Sequence, residues 1–565
     1  MSRFATIDYV IFLIYFVIVA GYGYWIYRRK TKSESATKDF FLAEGSLTWW
    51  AIGASLIASN ISAEQFIGMS GNGFTVGIAV AAYEWVAAIA LIIVAVWFIP
   101  MYHKNGIFTM PQFLKIRYNE TTALIMAIFW LFLYILVNLT SILYLGAMAI
   151  NNFAGGNNFE TIMVALCVFA IIITLGGMKV IGYTDVIQVL VLIIGGLATT
   201  YVALILVSEH FGLGKDVIAG FNAMMKDSPS HFSLIQDKPG PEATQEEINK
   251  YLMLPGIAMY FAGQWIVNLN YWGCNQYITQ RALGADLKTA RTGILFAGFL
   301  KLLMPIVVML PGIAAYVLYK NGALQQEMAP GGDFHADNAY SAILSFLPDG
   351  MKGLSLAALT AAIVASLAGK ANSISTIWTL DIYKKYIKRD ASEQNMVFVG
   401  KIAIVVSMLI SLALTWDDVL GIGGKGGFTF IQKYTGYVSP GVLAMFLLGM
   451  FWKRTTGGAA VVGLLAGFFL SVFFNEFAPA VFGPETWFYT AYINNDGNYE
   501  IPFLICMGLA FGFTVVLMVL ISLFGPKVNP KAFEVDSKMF KLEPSVLILI
   551  IITLLLVGAL YVKFW

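Results

Sequence analysis

Cysteine and histidine are scarce in this 565-residue chain, at three and four residues. Cys167, Cys274 and Cys506 all fall in apolar runs, so they form no secreted-type disulfide framework and say little about redox compartment. His103, His210, His231 and His335 fall between those runs, which excludes a histidine-based catalytic or metal site inside a membrane and leaves no Ser/His/Asp constellation. A glycine-rich phosphate loop ending in Lys-Ser/Thr is also missing, which argues against a nucleotide-driven pump. Charge is sparse, with 12% charged residues and a net charge of +2, and it points to no nucleic-acid partner.

What the chain has in abundance is apolar length. With 59% hydrophobic residues and a mean hydropathy of +0.75, most of it must lie in lipid. Apolar runs predict spans near 7–28, 46–71, 77–101, 120–150, 159–177, 181–208, 253–274, 290–319, 353–383, 395–416, 426–452, 456–475, 500–524 and 544–564, about fourteen helices of roughly 20 residues. The first run is followed, not preceded, by Arg28, Arg29 and Lys30, so it is read as a retained helix rather than a cleaved signal.

Basic residues set the expected orientation. With the amino terminus outside, Arg28–Lys38, Lys104–Arg117, Arg281–Arg291, Lys384–Arg389, Lys453–Arg454 and Lys527–Lys541 all face the cytoplasm. The opposing segments 151–160 and 476–500 contain no Lys or Arg, as the positive-inside rule requires. Both termini are then external, in a multi-pass protein of the cell's inner (plasma) membrane. The chain ends in its last helix, so no soluble enzyme domain is expected, and no obligate protein partner is evident.

Two apolar runs carry polar interruptions. Ala58-Ser59-Asn60-Ile61-Ser62-Ala63-Glu64-Gln65 breaks the first, and Asn268 through Gln276 breaks another. A lipid-facing helix cannot leave such groups unpartnered, so they must face a protein interior or a wet cavity. Paired broken spans mark a transporter with its substrate near the membrane midplane. Each opens a group of five helices, and an odd repeat length inverts the second group. The expected plan is a leading helix and cytoplasmic linker (1–45), a first repeat (46–208), an external loop (209–252), a second, inverted repeat (253–452) and three further helices (453–565). Long loops at 209–250 and 320–352 receive no role.

The stretch from Trp49 to Gly71 resembles the first core helix of the sodium:solute symporter family, particularly its bacterial sodium/galactose branch. Similar blocks are Tyr83-Glu84-Trp85, Val137-Asn138-Leu139-Thr140-Ser141, Thr184-Asp185-Val186-Ile187-Gln188, Tyr271-Trp272-Gly273, Gln280-Arg281 and Tyr434 through Gly441. The match runs along the whole chain, weakening in external loops and after about residue 455. It implies an all-α fold with a leucine-transporter-like inverted repeat of five plus five helices, one extra helix before and three after. It also implies alternating-access import of a galactose- or glucose-like hexose together with sodium.

Gln65, Glu84, Asn268, Lys301 and Gln432 come from five separated helices and supply both donors and acceptors, as a polyhydroxylated ring needs. Glu84 and Lys301 make sense if they pair and bind hydroxyls between them. Alternatively, Lys301 snorkels and Glu84 pairs with a neighbour. The resemblance implies that all five hold the sugar. It implies further that Tyr271 closes the site's cytoplasmic side, held by Asn60, and that Met69, Tyr83 and Phe428 form a hydrophobic outer gate.

The resemblance places sodium on backbone carbonyls of Ala58, Ile61 and Ala362 and on two consecutive serines, with Asp185 close by. Here those serines read Ala365-Ser366, and losing a hydroxyl should weaken the site unless water or Thr360 substitutes. Lys370 occupies a position that is apolar in the sodium/galactose branch. Its amine either reaches back toward the ion position or points into the cytoplasmic vestibule. The vestibule is favoured, because long cationic side chains find nearby water. Ala87 replaces a serine that contacts sugar in the relatives, which leaves the epimer open. Other readings are a symporter of myo-inositol, an amino acid or a carboxylate, and a sugar sensor without transport. A carboxylate is disfavoured because the five-residue set offers it no free cationic pair.

Overall fold

The computed structural model describes residues 5–28, 40–41, 47–62, 64–154, 158–329, 334–417, 419, 422 and 427–565, without the side chains of 152–154 and 427–430. The expected gate residue Phe428 therefore has its side chain outside the described set.

The apolar runs become helices: α1 Thr6–Arg28, α2 Trp49–Asn60, α3 Ile78–Lys104, α4 Glu120–Asn151, α5 Phe159–Thr174 and α6 Gly177–His210. After the first long loop come α7 Gly263–Leu269, α8 Gln276–Leu283, α9 Leu287–Lys320, α10 Met351–Ile387, α11 Glu393–Trp416 and α12 Gly427–Phe451. The last three are α13 Gly457–Phe482, α14 Phe503–Leu523 and α15 Pro544–Phe564. Among the described residues, 11 helices are long and apolar enough to cross a membrane, or 12 if the bent pair Gln245–Phe261 and Gly263–Cys274 is one span. Two expected spans fall outside that criterion. α5 has only 16 residues, and the run 46–71 divides after α2.

Both polar interruptions are breaks in the backbone. Ile61 leaves helical geometry at the end of α2 (φ −77°, ψ 102°), and the chain resumes as a π-helical turn, Glu64–Met69. The second break is at Asn275 (φ −94°, ψ 124°), between the π-helical turn Asn270–Cys274 and α8. The expected span 253–274 needs correction: the chain bends 82° at Ala262, so the inner apolar helix starts at Gly263, and Gln245–Met253 belongs to the loop.

From Ala51 to Asn60 every residue of α2 is buried, because it crosses α6, α9 and α10 in the middle of the molecule. Small residues allow that crossing: a Cβ on Gly53 would stand 2.8 Å from the Gly293 carbonyl of α9. α1 is pinned to the bundle by Asp8, whose Oδ1 accepts the N–H groups of Gly350 (2.7 Å) and Gly353 (2.8 Å) at the start of α10. A carboxylate there answers otherwise unpaired donors and the positive end of the helix dipole. Arg117, one of the residues assigned to the cytoplasmic face, is fully buried and donates to the carbonyls of Gly449, Trp452 and Thr455 where α12 ends.

The long loops are built onto the Ser70–Thr75 end of the first broken span. Ala336–Asn338 packs against the short helix Ser70–Thr75. From the other loop His231 donates Nε2–H to the Phe74 carbonyl (3.0 Å) and stacks on Tyr316 at 3.8 Å. Gly77, at φ +91°, lies so close beneath that a Cβ would meet the His231 carbonyl at 2.4 Å. Burial pushes the His231 imidazole down to about 4, and Nδ1 has no partner among the described residues. An unfolded histidine takes its proton near 6.5. Stability is therefore intact above about pH 6.5 and is lost as pH falls toward the folded value, where the unfolded chain holds the extra proton. Thermal unfolding at pH 7 and pH 5 should show a larger drop for wild type than for His231→Gln; equal drops would mean the imidazole does not report on this contact.

Candidate functional site

The two breaks face one polar cavity. Gln65, Glu84, Asn268, Tyr271, Lys301 and Gln432 all line it, so the structure brings the complete expected set together. Glu84 and Lys301 are both buried and form an ion pair of 2.5 Å between α3 and α9. Neither side chain snorkels. Gln65 and Asn268 keep polar capacity for the cavity. Gln65 uses Oε1 to accept from the Ser62 backbone N–H (2.9 Å) and hydroxyl (3.1 Å), which leaves its amide NH2. Asn268 donates Nδ2–H to the Gln264 carbonyl (2.9 Å), which leaves its own carbonyl oxygen.

A hydrogen-bonded chain runs from this pair across both breaks. Lys301 Nζ donates to Asn60 Oδ1, Asn60 Nδ2 donates to the Tyr271 hydroxyl at 3.0 Å, and the Tyr271 hydroxyl bonds that of Tyr277. The Asn60–Tyr271 contact expected from the resemblance is therefore present. The additional links to Lys301 and Tyr277 have no counterpart in the sequence reading. Trp272 adds an aromatic face 5.3 Å from the Lys301 ammonium. Of the expected outer gate, Tyr83 lines the cavity, whereas Met69 is fully buried away from its wall.

The expected ion residues lie where α2 meets α10. The Ser62 N–H turns to Gln65 rather than to the Ala58 carbonyl, and Ile61 sits at the extended break, so both carbonyls lie where the helical ladder stops. Ala362 and Ser366 are buried on α10, and Ser366 donates its hydroxyl to the Ser59 carbonyl at 2.8 Å. Ala365 contributes only a methyl. The hydroxyls of Ser59 and Thr360 are buried without a hydrogen-bond partner among the described residues. Asp185 accepts from Ser55 Oγ at 2.5 Å and lies 3.9 Å from Arg281, whose Nε also donates to Ser55 at 2.7 Å.

Neither expected position of Lys370 is observed. Its side chain is 2% exposed, so it does not stand in an open vestibule; its ammonium lies 3.6 Å from Glu64 Oε1 and 4.9 Å over the Tyr277 ring, lining the polar cavity. A charge buried this deeply takes the nearest carboxylate. Asn138, Glu64 and Asn275 also reach the cavity wall; Glu64 and Asn275 lie in the polar interruptions expected to face an interior or wet cavity, but none of the three was assigned an individual role. The signal for Asn138 was its place as the one side-chain amide within the apolar run 120–150, beside Thr140 and Ser141.

The sodium:solute symporter family model matches residues 40–467. The chain belongs to this family. A sodium/glucose cotransporter of Vibrio parahaemolyticus is 42% identical, over 99% of this chain and 98% of that protein. A human sodium/myo-inositol cotransporter 2 is 31% identical, over 82% of this chain and 69% of that protein. The fold matches a solved Na+-coupled sialic acid symporter in a substrate-bound outward-open state, with a TM-score of 0.76 at 21% identity, covering 93% of this chain and 99% of that one. The symporter is thus an all-α multi-pass membrane protein of the leucine-transporter type, and a transporter rather than an enzyme.

Tyr271 offers a direct test of the chain across the breaks. Tyr271→Phe loses the hydroxyl bonds but keeps the ring, whereas Tyr271→Ala loses both. Uptake should fall moderately in the first and severely in the second; wild-type uptake by Tyr271→Ala would reduce the residue to packing.

Proposed function

We propose that this symporter imports a neutral hexose of the galactose or glucose type with sodium. The observation that carries the reading is the buried Glu84–Lys301 pair in a cavity that also presents the amides of Gln65, Asn268 and Gln432 and the rings of Tyr271 and Trp272. Alternating donors and acceptors suit vicinal hydroxyls, and an aromatic wall suits the apolar face of a sugar ring. Sodium/glucose relatives share most of the chain length, which supports the same assignment. Myo-inositol is the second reading, because the same hydrogen-bond chemistry serves a cyclic polyol and sodium/myo-inositol relatives align over 82% of this chain.

Sodium is assigned to the α2–α10 seam, on the carbonyls of Ala58, Ile61 and Ala362 and the hydroxyl of Ser366, with Asp185 nearby. Ion binding there would fasten the broken helix to α10. In this reading the two five-helix repeats span 46–208 and 253–452, the second inverted, and rock around the cavity. The Lys and Arg asymmetry supports external termini and a plasma-membrane location.

In proteoliposomes an inward sodium gradient should drive labelled hexose uptake by wild type. Glu84→Gln or Lys301→Ala should weaken sugar competition by roughly tenfold to a hundredfold, because each removes a charged hydrogen-bonding group and strands its partner. Wild-type affinity in both variants would remove the sugar from this cavity. Ala365→Ser restores an oxygen ligand, so the sodium concentration for half-maximal uptake should fall. An unchanged value would place the ion away from residue 365.

A further inference from the structure

The cavity holds two ion pairs of different character. Glu84–Lys301 is closed at 2.5 Å, and Lys301 is further occupied by Asn60. The other pair joins Lys370 of α10 to Glu64, in the turn directly after the first break. Its 3.6 Å separation exceeds hydrogen-bond length. The Lys370 side chain is 2% exposed, with Glu64 as its distant ion partner and the Tyr277 ring 4.9 Å from its ammonium, so among the described residues a three-donor group meets only one long carboxylate contact. A desolvated ammonium with unused donors beside a cavity calls for an oxygen from the occupant.

The chemistry of that oxygen follows from the pair. An ammonium only donates and an ionised carboxylate only accepts, whereas a hydroxyl does both. A single hydroxyl can therefore accept from Lys370 and donate to Glu64 across the gap. Among the described residues that line the cavity, the two carboxylates Glu64 and Glu84 and the two ammoniums Lys301 and Lys370 sum to zero, so a neutral polyol leaves them balanced and a carboxylate-bearing solute adds an unanswered buried charge. At Ala87 the cavity wall offers only a methyl.

We infer that Glu64 and Lys370 form a second hydroxyl-binding pair, and that Lys370 is a specificity-determining residue for one hydroxyl of a neutral sugar. This rests on the hexose reading of the same cavity. It assigns the hydroxyl recognised here to the α2–α10 side, separate from the α3–α9 pair.

The test is a panel of singly deoxygenated hexoses competing against labelled hexose uptake in proteoliposomes. Wild type should bind one deoxy sugar roughly tenfold to a hundredfold more weakly than its parent through this pair. In the double variant Glu64→Gln/Lys370→Met, which removes both charges together, that penalty should shrink to about threefold or less while the other deoxy sugars keep theirs. An identical deoxy-sugar profile in wild type and variant overturns the inference and leaves hexose transport standing. Absence of hexose uptake by wild type sinks both. A measurement without any variant covers failure of the double substitution to fold: hexuronates should compete at least about tenfold more weakly than the corresponding hexoses. Equal competition overturns the charge-balanced pair.

Discussion

A charge inside a membrane protein must be answered, and Lys301 is the charge around which this one is organised. Its ammonium meets Glu84 from α3 and Asn60 from α2. Asn60 can serve because it is the last helical residue before the break. Through Asn60 the same charge fixes Tyr271 and Tyr277 on either side of the second break. A short hydrogen-bonded chain thus ties together the two places where the backbone leaves helical geometry. Breaking helices in hydrocarbon is tolerable only where neighbours line a cavity, and the buried surroundings of α2 supply that protection.

The first break also joins the two proposed ligands. Upstream lie Ala58 and Ile61, whose carbonyls are proposed for sodium; downstream lie Glu64 and Gln65, which line the cavity proposed for the solute. An ion that fastens the upstream part to α10 restricts the downstream part as well. Linkage requires the effect to be reciprocal, so bound solute must raise sodium affinity by the same factor. On the proposed sodium assignment, a methyl instead of a hydroxyl at Ala365 weakens one half of this coupling without touching the cavity. The Lys370–Glu64 pair crosses the same seam one turn further along α10.

Sequence made the breaks visible because polar runs inside apolar spans have no alternative explanation in lipid. The interruption at 58–65 and the one at 268–276 contain the observed breaks at Ile61 and Asn275. Side-chain direction was harder to read. Lys370 could be placed on a helix, but not between two possible neighbours, because its destination depends on how α10 sits against the turn carrying Glu64. Met69 shows the same problem from the other side, being near the cavity in sequence and absent from its wall. Arg117 reads as a topology signal, and only the packed structure reveals it as a cap on α12. The long loops gave no periodic pattern, and their seat on Ser70–Thr75 arises from long-range contacts such as His231 with Phe74.

The central claim is that ion and sugar close around the same broken helix. Equilibrium hexose binding to the purified protein in detergent, followed by fluorescence of Trp272 in the cavity wall, tests it most directly when titrated with and without sodium. Subtraction of a Trp272→Phe control isolates that signal. The account predicts a Kd at least about fivefold tighter in sodium than in an equal concentration of choline. The same Kd in both salts would contradict it.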